Sequence, residues 1–162
     1  MKLLSTLKTS FAVLGLVLAA VTSPANAQSA KVKTSIQALV AEANKLGAPR
    51  VEGENLFFGS SKINGDFTVV DSIKAKHGGT ATLFVKKGNS FVRVSTNVMR
   101  GADRAVGTPL DPNGPAFAAN IKGNAYYGIV DILGKLYDTG YEPIKTAKGE
   151  VIGIYYVGYL ME

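Results

Sequence analysis

The chain has 162 residues, one histidine, no cysteine and a formal net charge of +6. Without cysteine there is no disulfide, no thiolate metal site and no cysteine nucleophile. The basic residues are scattered, with no run longer than Lys86-Lys87, which describes a solvated surface and not a nucleic-acid footprint.

The N-terminus reads as an export signal. Lys2 and Lys8 give a positive start, FAVLGLVLAAV (11–21) is an apolar run, and TSPANA places Ala25 and Ala27 in the A-x-A cleavage pattern. The apolar run is well below the ~20 residues that a membrane-spanning helix needs. The expected division is a signal peptide over 1–27, a helix and linker over 28–55, and one domain over 56–162, delivered to the periplasm.

Residues 31–46 carry Val32, Ile36, Leu39, Val40, Ala43 and Leu46 at helical spacing, and Gly47 and Pro49 end the helix. The stretch 48–66 has glycines and little periodicity, so a loop is expected. From 67 the pattern turns to strands: FTVVDSI (67–73), a turn at HGG (77–79), TATLFVK (80–86), a hairpin turn at KGN (87–89) and SFVRVSTNV (90–98). Alternation in the last of these sets Val92, Val94 and Val98 against Phe91, Arg93, Ser95 and Asn97. The valine face is expected to pack on the N-terminal helix. The other face is mixed: a core would not choose Arg93, and a solvent face would not need Phe91.

A loop follows over 99–110. DPNGPAFAANIKG then reads as a short helix, with Asp111 as N-cap, Pro112 at the first helical position and Gly123 past the end. Three strands close the chain, 124–132, 135–144 and 151–159, with turns at Leu133-Gly134 and AKGE. Helix, three strands, loop and helix, three strands is an α+β layer with one antiparallel sheet.

Several of these segments carry a family likeness. VVDSIKAKHGGTATLFVKKGNSFVRVSTNV, RAVGTPLDPNGPAF, GNAYYGIVDILGKLYDTGYEPI and GEVIGIYYVGY, in that order, resemble the Cache family, in particular the single-domain variety described as a Cache 3/Cache 2 fusion. The likeness runs over roughly 56–159. It implies a PAS-like fold: a central antiparallel sheet of five or six strands, the N-terminal helix on one face and a small-molecule pocket on the other. It also implies an extracytoplasmic sensor part of the kind found in chemoreceptors and histidine kinases, many of which take small carboxylates or amines. No apolar span, HAMP segment or signalling module follows the domain in this sequence, so the expected protein is free-standing, with a membrane receptor or sensor kinase as its reader. A homodimer through the N-terminal helix, as in many relatives, is compatible with the sequence.

In related carboxylate-sensing Cache domains an arginine on this strand and a polar residue three positions later contact the ligand; the matching positions are Arg93 and Thr96. A guanidinium is a planar fork of donors suited to a carboxylate. Ser95 is expected beside Arg93. An internal ion pair, for instance to Asp131, is the structural alternative for Arg93. Arg104 either covers the pocket as a lid or fixes its own loop, and Arg100 is a solvated side chain. Tyr137, Thr139 and Tyr141 alternate along one strand and make a suitable pocket wall, since tyrosine supplies both area and a polar tip. Tyr126 and Tyr127 point to opposite faces, and Tyr127 is taken as the lining residue. The related sensors bring a second arginine from the strand of Thr139. Its absence implies a less charged ligand than a di- or tricarboxylate.

Nothing points to catalysis. His77 sits beside Gly78-Gly79 as a turn residue, and no H-E-x-x-H, G-x-S-x-G or G-x-G-x-x-G pattern occurs. The expected protein binds a small organic anion, a monocarboxylate, with no cofactor, no metal and no nucleic acid. The alternative is an interaction module whose pocket is vestigial.

Overall fold

The computed structural model describes residues 24–161. The expected export signal lies outside them, except for its last residues, which belong to the first helix. That helix, α1 (Pro24–Asn44), is followed by short strands β1 (Pro49–Glu52), β2 (Asn55–Phe58) and β3 (Ser61–Lys62), then helix α2 (Thr68–His77). Strands β4 (Thr80–Lys87) and β5 (Ser90–Thr96) form a hairpin. A two-strand hairpin, β6 (Met99–Arg100) and β7 (Asp103–Arg104), and helix α3 (Pro115–Asn120) come next. Strands β8 (Tyr126–Ile132), β9 (Lys135–Lys145) and β10 (Val151–Leu160) end the chain. The main sheet is antiparallel with strand order β5-β4-β10-β9-β8, so the last strand lies at its centre.

Each face of the sheet builds its own core. On the first, Val32, Ile36, Leu39 and Ala43 of α1 and Val70 and Ile73 of α2 pack on Leu83, Val85, Tyr155 and Val157. On the second, Phe84, Phe91, Tyr141, Ile154 and Tyr156 are covered by Val98, Ala105, Leu110 and Phe117 from the long connection between β5 and β8. A sheet that buries both faces needs apolar residues at successive positions, which explains the unbroken burial of β4 and β10. The free edge of β5 is also covered: Arg93 N–H bonds Thr108 O, Gly107 N–H bonds Arg93 O and Leu110 N–H bonds Phe91 O.

Three expectations change. Residues 67–73 are not a strand. Asp66 Oδ1 accepts the Thr68 N–H at 2.9 Å and starts α2, and Val70 and Ile73, three apart, are buried against the sheet. The β-branched residues suggested extension, but the Asp66 turn before the Phe67 cap and the tertiary contact decide for helix. The stretch 48–66 is not a loop but a small antiparallel sheet, β1-β2-β3, which places Leu56 and Phe58 in the first core. The short helix starts later than expected, at Pro115, with Gly114 as its cap. Asp111 instead closes a turn, accepting the Asn113 N–H.

Candidate functional site

Antiparallel register lines up side chains across the second face. One row reads Tyr126, Tyr141, Tyr156, Thr82, Thr96 across all five strands. The next reads Gly128, Thr139, Gly158, Thr80. A Cβ at Gly158 would collide with the Tyr156 hydroxyl, and one at Gly128 would lie 2.6 Å from the Tyr126 hydroxyl. The glycines therefore let both tyrosines lie flat along the sheet. Tyr156 Oη reaches Thr80 Oγ1 at 3.0 Å, Thr82 and Thr96 share a hydrogen bond of 2.6 Å, and the Thr139 hydroxyl donates to Gly128 O at 2.5 Å.

A bulge sets which residues of β5 join this face. Leu83 pairs with Ser95 but Phe84 pairs with Arg93, so Val94 is an extra residue. Val94 and Ser95 both turn to the helix-bearing face, where Ser95 donates to Asp66 O at 2.6 Å. Beyond the bulge the alternation is inverted. Thr96 joins Arg93 on the second face, Asn97 leaves it to bond Val70 O and Ala81 N–H, and Val98 enters the second core. Simple alternation had put Ser95 and Asn97 beside Arg93, and Val98 opposite them. The three-residue spacing from Arg93 to Thr96 shares a face only because of the extra residue.

Arg93 is 5% exposed. Its Nη1 donates to Thr108 Oγ1 at 2.9 Å and Pro109 O at 3.2 Å, and the guanidinium lies 4.9 Å from the Phe84 ring centre. No carboxylate pairs with it among the described residues, so the ion pair with Asp131 is not formed. Burial pushes its pKa down, and the Tyr141 and Tyr156 phenols facing it oppose that shift. Burial pushes the Tyr141 phenol up, while Arg93 pulls it down. Arg93 Nε, Tyr141 Oη and Asn120 Oδ1 are buried and hydrogen-bond to no described residue. Unpaired buried polar groups are costly. Here two donors and one acceptor are left in the layer between the sheet and its cover.

Arg104 fixes that cover. It holds both oxygens of Asp71, at 2.8 and 2.9 Å, donates to Thr96 O at 2.9 Å and stacks 4.3 Å from the Phe67 ring centre. The Asp71 carboxylate raises its pKa. The bidentate pair ties the β6–β7 hairpin to α2. Both side chains are partly exposed, at 31% and 45%. Asp71→Asn is therefore expected to cost less than about 1 kcal/mol globally, yet to speed amide exchange at Ala105, whose N–H bonds Val98 O across the hairpin. Unchanged exchange at Ala105 would show that the hairpin does not depend on the pair.

The other expected site residues divide. Tyr137, Thr139 and Tyr141 share the second face, with Thr139 and Tyr141 fully buried. Tyr127 does not. It faces α1, where its hydroxyl bonds Glu142 and Lys33 lies over its ring, so Tyr126 is the tyrosine on the second face. Counting pairs back from the turn at Leu133-Gly134 puts Tyr126 opposite Tyr141, and this signal was readable in the sequence. Tyr156 and Asn120 were missed. Tyr156 lies in a strand buried on both faces, where alternation carries no information. Where this face meets the ends of the β6–β7 and β8–β9 hairpins, a cleft of about 480 Å³ opens beside Thr80 and Tyr137.

Comparison with known proteins places this architecture. Residues 5–162 match the model of the Cache 3/Cache 2 fusion domain. The chain belongs to that family. Cache domains are typically extracytoplasmic sensor domains, non-enzymatic modules that bind small-molecule ligands. Among solved structures, the sensor domain of E. coli DcuS is similar at 14% identity and a TM-score of 0.51, covering 80% of this chain and 90% of that one. The A. aeolicus nlh2 GAF domain in an inactive state is 11% identical, with a TM-score of 0.48 and 83% of each chain covered. No curated protein matches the chain. The expected PAS-like α+β Cache fold is thus the fold of this protein. No described helix is long and apolar enough to cross a membrane.

Proposed function

We propose that this Cache domain is a periplasmic sensor that captures a small organic monocarboxylate on the second face of its sheet, for signal transduction or chemotaxis. One observation carries the reading: Arg93 is a buried cation with no carboxylate partner among the described residues, and its Nε lies in the same layer as the Tyr141 hydroxyl, which hydrogen-bonds to none of them either. A single carboxylate accepts from both donors and neutralises the guanidinium. Thr96, Thr139, Tyr137 and Tyr126 supply the walls, the two threonine hydroxyls being engaged with Thr82 and Gly128 O. No second arginine stands on β9, which fits one carboxylate better than two. The cover over 97–123 moves to admit the ligand, with Arg104 and Asp71 as its anchor to α2. Its altered outer surface is what a membrane receptor or sensor kinase would read. Ser95 and Tyr127, on the opposite face, have no part in this site.

A thermal-shift screen of the purified protein against small carboxylates, amino acids, amines and purines tests the reading. A ligand at a hundredfold excess over its Kd stabilises by about 2.7 kcal/mol. A monocarboxylate response that weakens in Tyr141→Phe and persists in Tyr127→Phe is the expected result. A second reading draws on the aromatic and aliphatic packing of the second layer, Phe91 against Phe117 at 5.7 Å among it: a protein-interaction module whose pocket is vestigial. No response across the panel from a well-folded protein would select it.

A further inference from the structure

The cleft at the ends of the two hairpins is a site of a different kind. Lys74 comes to it from the last turn of α2, Arg100 from the β6–β7 hairpin and Lys135 from the first residue of β9. No carboxylate lines it among the described residues. All three cations are exposed, and none forms an ion pair among the described residues. Lys45, Lys76 and Lys87, by contrast, each hold a glutamate. Three like charges brought to one concave surface by three separate elements repel one another and focus a positive potential there. The wall between them is mixed, with Tyr137 and Thr80 among its lining residues and Met99 and Leu133 half-exposed.

We infer that this cleft binds a multiply charged, phosphate-bearing anion. A lone carboxylate offers one charge and two oxygens. A phosphate carries close to two charges and three acceptor oxygens, and so can be met by donors from three sides. Arginine and lysine are the side chains suited to that contact, one as a fork and the other as a point charge. The site is separate from Arg93, which is buried in the second layer and does not line the cleft. The phosphate can belong to a soluble compound or to a lipid headgroup. In the second case Met99 and Leu133 would enter the acyl boundary.

Calorimetric titration with sodium pyrophosphate, and co-sedimentation with phosphatidic acid or phosphatidylcholine vesicles, test the inference on the same protein. Saturable binding of pyrophosphate assigns a soluble ligand. Binding to phosphatidic acid vesicles alone assigns a headgroup. Either should fall with added salt and weaken about tenfold or more when Lys74, Arg100 and Lys135 are all changed to Gln. Lys45→Gln, which removes a surface charge far from the cleft in sequence and already paired, should leave it unchanged. The three positions are exposed, and an unaltered thermal midpoint checks that the triple variant is folded. Binding of neither probe, or equal binding by the triple variant, would overturn the inference.

Discussion

Arg93→Met is expected to raise the thermal midpoint by about 5 °C and to remove the response to any monocarboxylate. The two effects have one cause. Arg93 is 5% exposed and carries its charge into the second core, where its acceptors among the described residues are the neutral Thr108 Oγ1 and Pro109 O. Taking a guanidinium out of water costs several kcal/mol even after relaxation, and two neutral hydrogen bonds offset only part of that. Methionine keeps most of the length, packs on Phe84 and leaves no buried donor, so a gain of about 1–2 kcal/mol is expected. Folded proteins retain such destabilising groups where function requires them. Thermal unfolding with and without the best monocarboxylate reads both effects at once. A midpoint that falls in Arg93→Met would show that the bonds to Thr108 and Pro109 dominate and that Arg93 is there to hold the 107–110 segment on the edge of β5.

The second large effect is expected at Gly153. It lies in β10 opposite Val85, next to the irregularity that shifts register between Val151 and Gly153. A Cβ there would collide with the Phe84 carbonyl oxygen and come within 3.1 Å of Ile144 Cδ1. The obstacle is backbone of a paired neighbour in the middle of the sheet, so it cannot rotate away. Gly153→Ala should cost about 3 kcal/mol by overpacking and lower the midpoint by about 10 °C. The same displacement moves Phe84, the residue beneath the Arg93 guanidinium, so ligand affinity should fall as well. A loss below about 1 kcal/mol would mean that β4 and β10 separate at this point with little resistance. Gly88→Ala is a useful contrast: it has φ of +56° but nothing within 4 Å of the added carbon, so its cost is conformational alone.

Much of this protein is readable along the chain, and the reason is locality. The stripe Val32, Ile36, Leu39, Ala43 specifies a helix buried on one side, and that is how α1 packs. The turn at Leu133-Gly134 fixes a hairpin and its register, and the turn at Gly88-Asn89 fixes a second as far as the Phe84–Arg93 pair. The order of the segments carries the family. In each case the residues that decide are neighbours in sequence, so period and turn chemistry suffice. The alternation Tyr137, Thr139, Tyr141 placed these three together for the same reason.

What the tertiary structure decided depends on partners distant in the chain. Thr68–His77 is a helix because Val70 and Ile73 meet the sheet, although the β-branched sequence favours extension. Ser95 and Thr96 change faces because β4 and β5 pair with one residue to spare at Val94, and a bulge is a property of two strands, invisible in either alone. Whether Arg93 was a paired structural cation or an unpaired one could be settled only by knowing which side chains surround it. Those come from β4, β9, β10 and the 107–110 segment. Composition and period describe a residue and its neighbours along the chain. The charge balance of a buried site is set by what long-range packing brings beside it.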